Sequence, residues 1–451
     1  MYLKITLSIK LIIGPLLLIA STIALADEYL ITDLGTLGGI WSGASDLNEQ
    51  GYVVGLSSVS SGAQHGYVWD GVMMHDLGTP SVYLVSGANA INDSNQTAGF
   101  ANGEFQSQYA YLWEDSIWTY LGTLPDLDYS STTDINNANQ IVGYSFMLGP
   151  GGGSLGWIWE SDTLTSLGTL GGERSSANGI NEIGEIVGYA QIYNPDTLIN
   201  HACLWTGGGI TDLGVLPGEI NSAASDINES GQICGSSSHQ QSTYPFLTVT
   251  IPCLWDDGSI IELELLPGYV RGAASAINDN CQIIGWMNTS LSGGSSRAFI
   301  WEDGVMTNLN QLIPAGSNWI LKSASDINNL GQIVGTGEAP NGETHGYLLS
   351  PDTTGIHEYE NNPPPSYLIT GNFPDPFIVS TTIHYSLPEP SEVMIEIYDV
   401  LGRRVEISTE GDHSSGEYQF VWNAQGQPSG VYLYRIQAGN YSEVRKMVLL
   451  K

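Results

Sequence analysis

The chain has 451 residues and a formal net charge of −35, with only 12 Lys and Arg against 47 Asp and Glu. Nucleic acids and anionic membrane surfaces need clustered cations, so both are excluded as partners. Charged residues make up 13% and Gly number 55, which excludes an all-α protein; 42% hydrophobic and 10% aromatic content excludes disorder and leaves a large, acidic, all-β chain.

Residues 1–26 read as a signal peptide. Lys4 and Lys10 form a positive start, an apolar run follows from Leu11 to Ala20, and Ala24-Leu25-Ala26 precedes a cut before Asp27. The apolar core is shorter than the roughly 20 residues a membrane span needs, so export is expected. Beyond it stand four cysteines, Cys203, Cys234, Cys253 and Cys281. Their spacing fits no zinc pattern, and three pairings are open for two disulfides. Cys234 and Cys253 could meet across neighbouring strands; four separate thiols are the other option.

Internal repetition dominates the chain from Asp27 to about Pro351. An Ile-Asn or Leu-Asn motif recurs at Asn48, Asn92, Asn136, Asn181, Asn228, Asn278 and Asn328, at spacings of 44 to 50. Seven residues after each Asn stands a Gly, from Gly55 to Gly335. A Trp closes six units, from Trp69 to Trp301, and Leu349 takes its place in the seventh. A Leu of the Asp-Leu-Gly type opens each unit, from Leu34 to Leu309.

Each unit reads as four short strands, carrying in turn Asp-Leu-Gly (Ile31 to Gly35), Ala-x-Asp-Ile-Asn (Ala224 to Asn228), Gln-Ile-Val-Gly (Gln140 to Gly143) and His-Ala-x-Leu-Trp (His201 to Trp205). The second and third are joined by Asn-x-x-Gly, ending at Gly51, Gly184, Gly231 and Gly331, with Asn95 and Asn139 in two other units. That pattern predicts a type I turn followed by a left-handed residue; Cys281 in that place predicts local strain or a different turn. The Gly seven residues on lets a neighbouring strand approach closely.

A four-stranded unit of this length is the size of a propeller blade. The expected fold is all-β, a seven-bladed β-propeller over residues 27–351. No Asp-Leu-Gly strand follows Leu349, so the early strand from Tyr29 to Gly35 is expected beside the last blade, closing the ring. An open β-solenoid stack is the rival architecture. The repeats resemble those of secreted HAF-repeat proteins, through His65-Gly66-Tyr67, Arg297-Ala298-Phe299, His345-Gly346-Tyr347 and the Asp33–Gly39 run Asp-Leu-Gly-Thr-Leu-Gly-Gly. The resemblance implies an extracellular bacterial protein and no particular reaction.

Residues 352–366, with Asn361-Asn362-Pro363-Pro364-Pro365, read as a linker. Residues 367–451 then alternate as short strands, predicting a small immunoglobulin-like sandwich. This stretch resembles the C-terminal sorting domain of type IX secretion. The resemblance rests on Asp375-Pro376-Phe377, the Ile397–Arg403 run Ile-Tyr-Asp-Val-Leu-Gly-Arg, Ser429-Gly430-Val431-Tyr432 and the Arg445–Lys451 run Arg-Lys-Met-Val-Leu-Leu-Lys. It implies the type IX machinery as partner, an outer-membrane surface or extracellular destination, and a sorting signal that includes Gly430, Val431, Tyr432, Arg445, Lys446 and Lys451.

No nucleophile elbow, P-loop or His-Glu-x-x-His is present, so no catalytic residue is assigned. Asp46, Asp134, Asp226 and Asp326 open segments with a superficial likeness to calcium loops, but Gln50 and Ser57 stand where Asp46's loop needs oxygen ligands, so a hairpin turn is expected, with no cofactor and at most weak calcium. His65, His201 and His345 share one place in the repeat and are expected to bond an adjacent blade rather than one metal. Binding is expected on the end with the longer loops, through Trp41, Tyr83, Tyr129, Tyr193, Tyr244, Phe246, Trp286 and Trp319, beside the acids Asp126, Asp128 and Glu173 and the cations Arg174 and Arg271. The expected role is a non-catalytic recognition or display module for a glycan or protein; a polysaccharide hydrolase or lyase with carboxylates converging at the central channel is the alternative.

Overall fold

The computed structural model describes residues 29–80, 83–103, 108–149, 152–194, 198–243 and 246–352, and most of 368–450. The signal-peptide segment, Tyr244, Lys451 and linker residues 353–366 lie outside the described residues. The chain divides into two compact units after Pro351.

The first unit is a ring of seven four-stranded antiparallel blades. Their innermost strands are Gly38–Leu47, Val85–Ile91, Tyr129–Ile135, Gly171–Ile180, Asn221–Ile227, Arg271–Ile277 and Ile320–Ile327. The Asp-Leu-Gly strand is the outermost strand of the preceding blade, not the first of its own: Met74–Gly78 pairs with Gln64–Trp69 of blade one. A repeat can be cut anywhere in sequence, and only hydrogen bonding sets its phase. The ring closes as expected, because Tyr29–Asp33 pairs antiparallel with Thr344–Pro351, from Tyr29↔Pro351 to Asp33↔Tyr347. The last blade is thus completed by the first strand, and an open stack is excluded.

Each Asn-x-x-Gly segment makes the same turn. The Gly51 N–H donates to the Asn48 carbonyl at 3.0 Å, and Asn48 Oδ1 accepts from the N–H groups of Gln50 and Tyr52. The closing residue is left-handed even where it is not Gly, with φ of 61° at Asn95, 59° at Asn139 and 58° at Cys281. Cys281 therefore keeps the common turn and carries its strain.

Every inner strand has a β-bulge, as between Ala44 and Asp46, which leaves Ser45 as the extra residue. The bulge lies beside the repeated Gly. A methyl on Gly55 would strike the Gly43 carbonyl oxygen, and one on Gly188 would strike that of Ser176. Between blades the packing is apolar and tight, with Tyr67, Trp157, Phe299 and Tyr347 fully buried. Burial of a ring such as Phe299 contributes about 1.5–3 kcal/mol. Serines stitch the blades: Ser130 Oγ accepts from Ala110 N–H at 3.0 Å and donates to the Gly122 carbonyl at 2.8 Å. Ser42 does the same across the closure, accepting from Gly346 and donating to Gly35.

All four thiols are free. Cys234 pairs in register with Leu254, and Cys253 with Gly235. That single step puts the two side chains on opposite faces, so they do not meet.

The second unit is a β-sandwich. Leu368–Phe373, Ser380–Leu387 and Gly416–Asn423 form one sheet; Ser391–Asp399, Arg404–His413, Gly430–Ala438 and Tyr441–Leu449 form the other. Both feed one core, with Phe377, Ile383, Ile395, Trp422, Tyr434 and Met447 nearly or fully buried. On the outer side of the second sheet Arg404 and Arg435 bracket Glu396, which holds its carboxyl below the usual range.

Candidate functional site

Alternating strand direction gives the ring two ends. The lower end carries the Asn-x-x-Gly turns and the hairpins between the third and fourth strands. The upper end carries the longer connections.

The lower end is tied by two closed circles of hydrogen bonds. The Nδ2 of each repeated Asn donates to the backbone carbonyl of the equivalent Asn in the next blade, at 3.0–3.3 Å, and Asn328 completes the circle to Asn48. In the second circle the next residue's N–H donates to the following blade's side chain at 2.7–3.1 Å, running through Glu49, Asp93, Asn137, Glu182, Glu229, Asp279 and Asn329. The sequence marks these Asn residues as turn formers; that one amide also reaches the next blade was not legible.

Above these circles lies a central cavity of about 130 Å³, lined by the bulge residues Ser45, Asn89, Thr133, Asn178, Ser225, Ser275 and Ser325 and by four aspartates. Each carboxylate joins two blades. Asp134 accepts from Ile135 N–H at 2.7 Å and from Ile180 N–H of blade four at 2.8 Å; Asp46 does so with Leu47 and Ile91, and Asp226 with Ile227 and Ile277. Blades two, four and six carry Ala90, Gly179 and Ala276 at this place. Seven is odd, so the alternation fails at the closure: Asp326 of blade seven meets Asp46, and Leu47 N–H donates to both, at 2.8 Å to Asp46 and 3.1 Å to Asp326. Burial pushes the Asp134 carboxyl up to about 6. Burial first, and then Asp326, push Asp46 well above its ordinary value.

The three histidines bond within their own blades, not to adjacent ones. His65 Nδ1 lies 2.9 Å from Asp76, His201 Nδ1 2.9 Å from Asp212, and His345 Nδ1 2.8 Å from Asp33. Each Asp belongs to the Asp-Leu-Gly strand, and the last pair spans the ring closure. A sequence signal existed for this. Blades without the His also lack the Asp, with Tyr109 and Tyr120, Leu155 and Ser166, Ile251 and Glu262, and Arg297 and Asn308 in the paired places.

The expected upper-end aromatics do not converge on one point. Tyr83 and Tyr129 join Tyr109, Tyr111, Trp118, Tyr120, Tyr144 and Phe146 in a continuous cluster over blades two and three, with ring centroids 5.4–6.2 Å apart. Tyr120 is 49% exposed, and the cluster is flanked in the chain by exposed Leu84, Met147 and Leu148 and by exposed Asp126 and Asp128. Burial pushes the Tyr109, Tyr111, Tyr120 and Tyr144 hydroxyls up, so they remain neutral donors at physiological pH. Trp41 lies near Gly43 on blade one, and Trp319 packs edge-on against Tyr347 on blade seven. Trp286 on blade six lies beneath the Arg271 guanidinium, and Tyr193 on blade four is exposed.

In the sandwich the expected sorting residues divide. Tyr432 is buried and its hydroxyl donates to the Pro428 carbonyl, so it is core. Gly430, Val431 and Lys446 are exposed, and Arg445 is half-buried.

Residues 372–450 match the family model for the secretion system C-terminal sorting domain. The chain matches none of the curated proteins. Among solved structures it is similar to PorZ of Porphyromonas gingivalis, a surface component of the type-IX secretion system, at 11% identity and a TM-score of 0.42, over 90% of this chain and 59% of that one. The propeller of the Trilobed protease from Pyrococcus furiosus is similar at 12% identity and 0.43, over 68% and 93%. Oligogalacturonate lyase from Vibrio parahaemolyticus is similar at 9% and 0.46, over 72% and 94%. At such identities and scores these likenesses say nothing of what this chain binds. Among the described residues no helix is long and apolar enough to cross a membrane. Residues 372–450 thus carry a secretion-system sorting domain, and the protein is an extracellular or cell-surface β-propeller.

Proposed function

We propose that the propeller is a non-catalytic recognition module of the HAF-repeat kind, presented by an immunoglobulin-like type IX sorting domain, and that its upper end binds glycans. The carrying observation is the tyrosine-rich cluster of blades two and three, in which Tyr83, Tyr109, Tyr129 and Phe146 stand at the upper end beside the exposed Tyr120 ring. Such rings stack on sugar faces while hydroxyls and carboxylates bond sugar hydroxyls. The hydrolase or lyase reading rests on the channel aspartates. The oxygens of Asp46, Asp134 and Asp226 already accept backbone N–H groups. The cavity of about 130 Å³ is below the roughly 300 Å³ at which ligand pockets begin.

A glycan array read with the purified protein and with the variants Tyr120→Ala and Tyr129→Ala tests the proposal. Binding weakened about tenfold in the variants supports it. Unchanged binding removes the cluster from the site, and depolymerisation of a polysaccharide abolished by Asp134→Asn would replace recognition with catalysis.

A further inference from the structure

The propeller has four cations, Arg174, Arg271, Arg297 and Lys322. All stand at the upper end: Arg271 opens its strand, Arg297 is second in Ser296–Glu302, Lys322 is third in Ile320–Ile327, and Arg174 is fourth in Gly171–Ile180. Lys322 pairs with Glu338 at 3.1 Å. The three arginines pair with no carboxylate among the described residues, in a chain that holds 47 acids. Arg174 donates to the Gly152 carbonyl and Arg297 to that of Ser296.

Arg271 differs from both. Its Nε is buried and meets no acceptor, and its guanidinium is held over the Trp286 ring at 5.8 Å from the centroid. A buried donor on a charged group is costly to leave without an acceptor, so this nitrogen calls for an explanation, and a bound anion beside the guanidinium is one that supplies it. Arg271, Asn288 and Ser296 form one row across the three inner strands of blade six, and Trp286 follows on the same face between the small residues Ala273 and Ala298. Ser296 Oγ donates to the Lys322 carbonyl, which seats this edge against blade seven.

We infer that Arg271 and Trp286 form a seat for the carboxylate of an acidic sugar, a uronic acid residue of an extracellular polysaccharide. This rests on glycan binding at the upper end and goes beyond it, adding on blade six a contact that selects anionic sugars. A guanidinium presents parallel N–H groups that match a carboxylate, and an indole offers a face to the C–H side of a pyranose ring.

The test uses glucuronic-acid oligosaccharides and their carboxyl-reduced, neutral counterparts, titrated calorimetrically into the protein, with inorganic sulfate as a third ligand. The expected result is a preference of about tenfold or more for the acid form. Arg271→Gln should erase that preference and keep binding of the neutral form, Arg271→Lys should restore part of it, and Trp286→Ala should weaken both forms. Melting curves of each variant establish that the propeller is folded. Equal affinity for the two forms, or an acid preference that survives Arg271→Gln, overturns the inference and leaves the glycan reading standing. Binding of neither form overturns the inference, and the glycan array then decides the broader reading. Binding of sulfate without discrimination between the oligosaccharides reduces the seat to an adventitious ion only and overturns the inference.

Discussion

Asp326→Asn should make the propeller more stable at pH 8. In the wild type Leu47 N–H has two carboxylate acceptors, at 2.8 and 3.1 Å, so one acceptor is redundant. Two oxygens at those distances from one nitrogen are at most about 6 Å apart, and at an effective dielectric constant of ~20 two full charges there repel by about 3 kcal/mol. Both aspartates are partly exposed and line the cavity, so solvent screening leaves about half, roughly 1–2 kcal/mol, to be recovered when one charge is removed. The pH dependence has a definite sign. Asp46 and Asp134 are pushed up in the folded ring, so the native state holds protons that the unfolded chain has released. Their contribution to stability is therefore greatest below about pH 4, falls as pH rises towards the raised values, and levels off above them. For Asp134, raised from 3.8 to about 6, the full shift corresponds to about 3 kcal/mol and about half of that after the same allowance for solvent screening. Urea denaturation at pH 5 and pH 8 reads both effects. Asp326→Asn should gain at pH 8, gain less at pH 5, and flatten the profile. Asp134→Asn should instead lose about 1–3 kcal/mol at pH 8, because an amide offers one oxygen where Ile135 and Ile180 need two. An Asp326→Asn protein less stable than wild type at pH 8, or a pH profile left unchanged, would refute the clash at the closure.

Three further outcomes are expected. Ile31→Pro, in the strand that completes blade seven, should lower the stability of the whole ring by about 3 kcal/mol or more; hydrogen exchange would show protection lost in all seven blades, whereas loss confined to blade seven would contradict closure as the global constraint. Cys281→Gly should stabilise by about 1 kcal/mol, since φ is 58° there and Gly adopts it without strain; a neutral or negative change in the urea midpoint would argue against strain at that turn. A chain ending before Tyr367 should fold its propeller but remain in the periplasm, read by fractionation; surface delivery of that truncation would remove the sorting role of the tail.

The seven-fold repeat, the all-β class, the left-handed turn residue and the closing role of the first strand were all legible in the sequence, because each is a local or periodic property of residue type. Asn-x-x-Gly marks a turn wherever it stands, and a missing last strand must be supplied from elsewhere. What the sequence could not carry was phase and contact between blades. The Asp-Leu-Gly strand belongs to the preceding blade because Met74–Gly78 finds its hydrogen bonds there. The histidines turned inward to Asp76, Asp212 and Asp33 because the fourth strand lies beside the third, which a unit cut one strand too early conceals. The aromatics separate into a tyrosine cluster and scattered tryptophans because loop length does not say where a ring points. The meeting of Asp326 and Asp46 needs the ring itself: an alternation of Asp with Ala or Gly is harmless in a line, and only closure through an odd number of blades brings two carboxylates to one N–H.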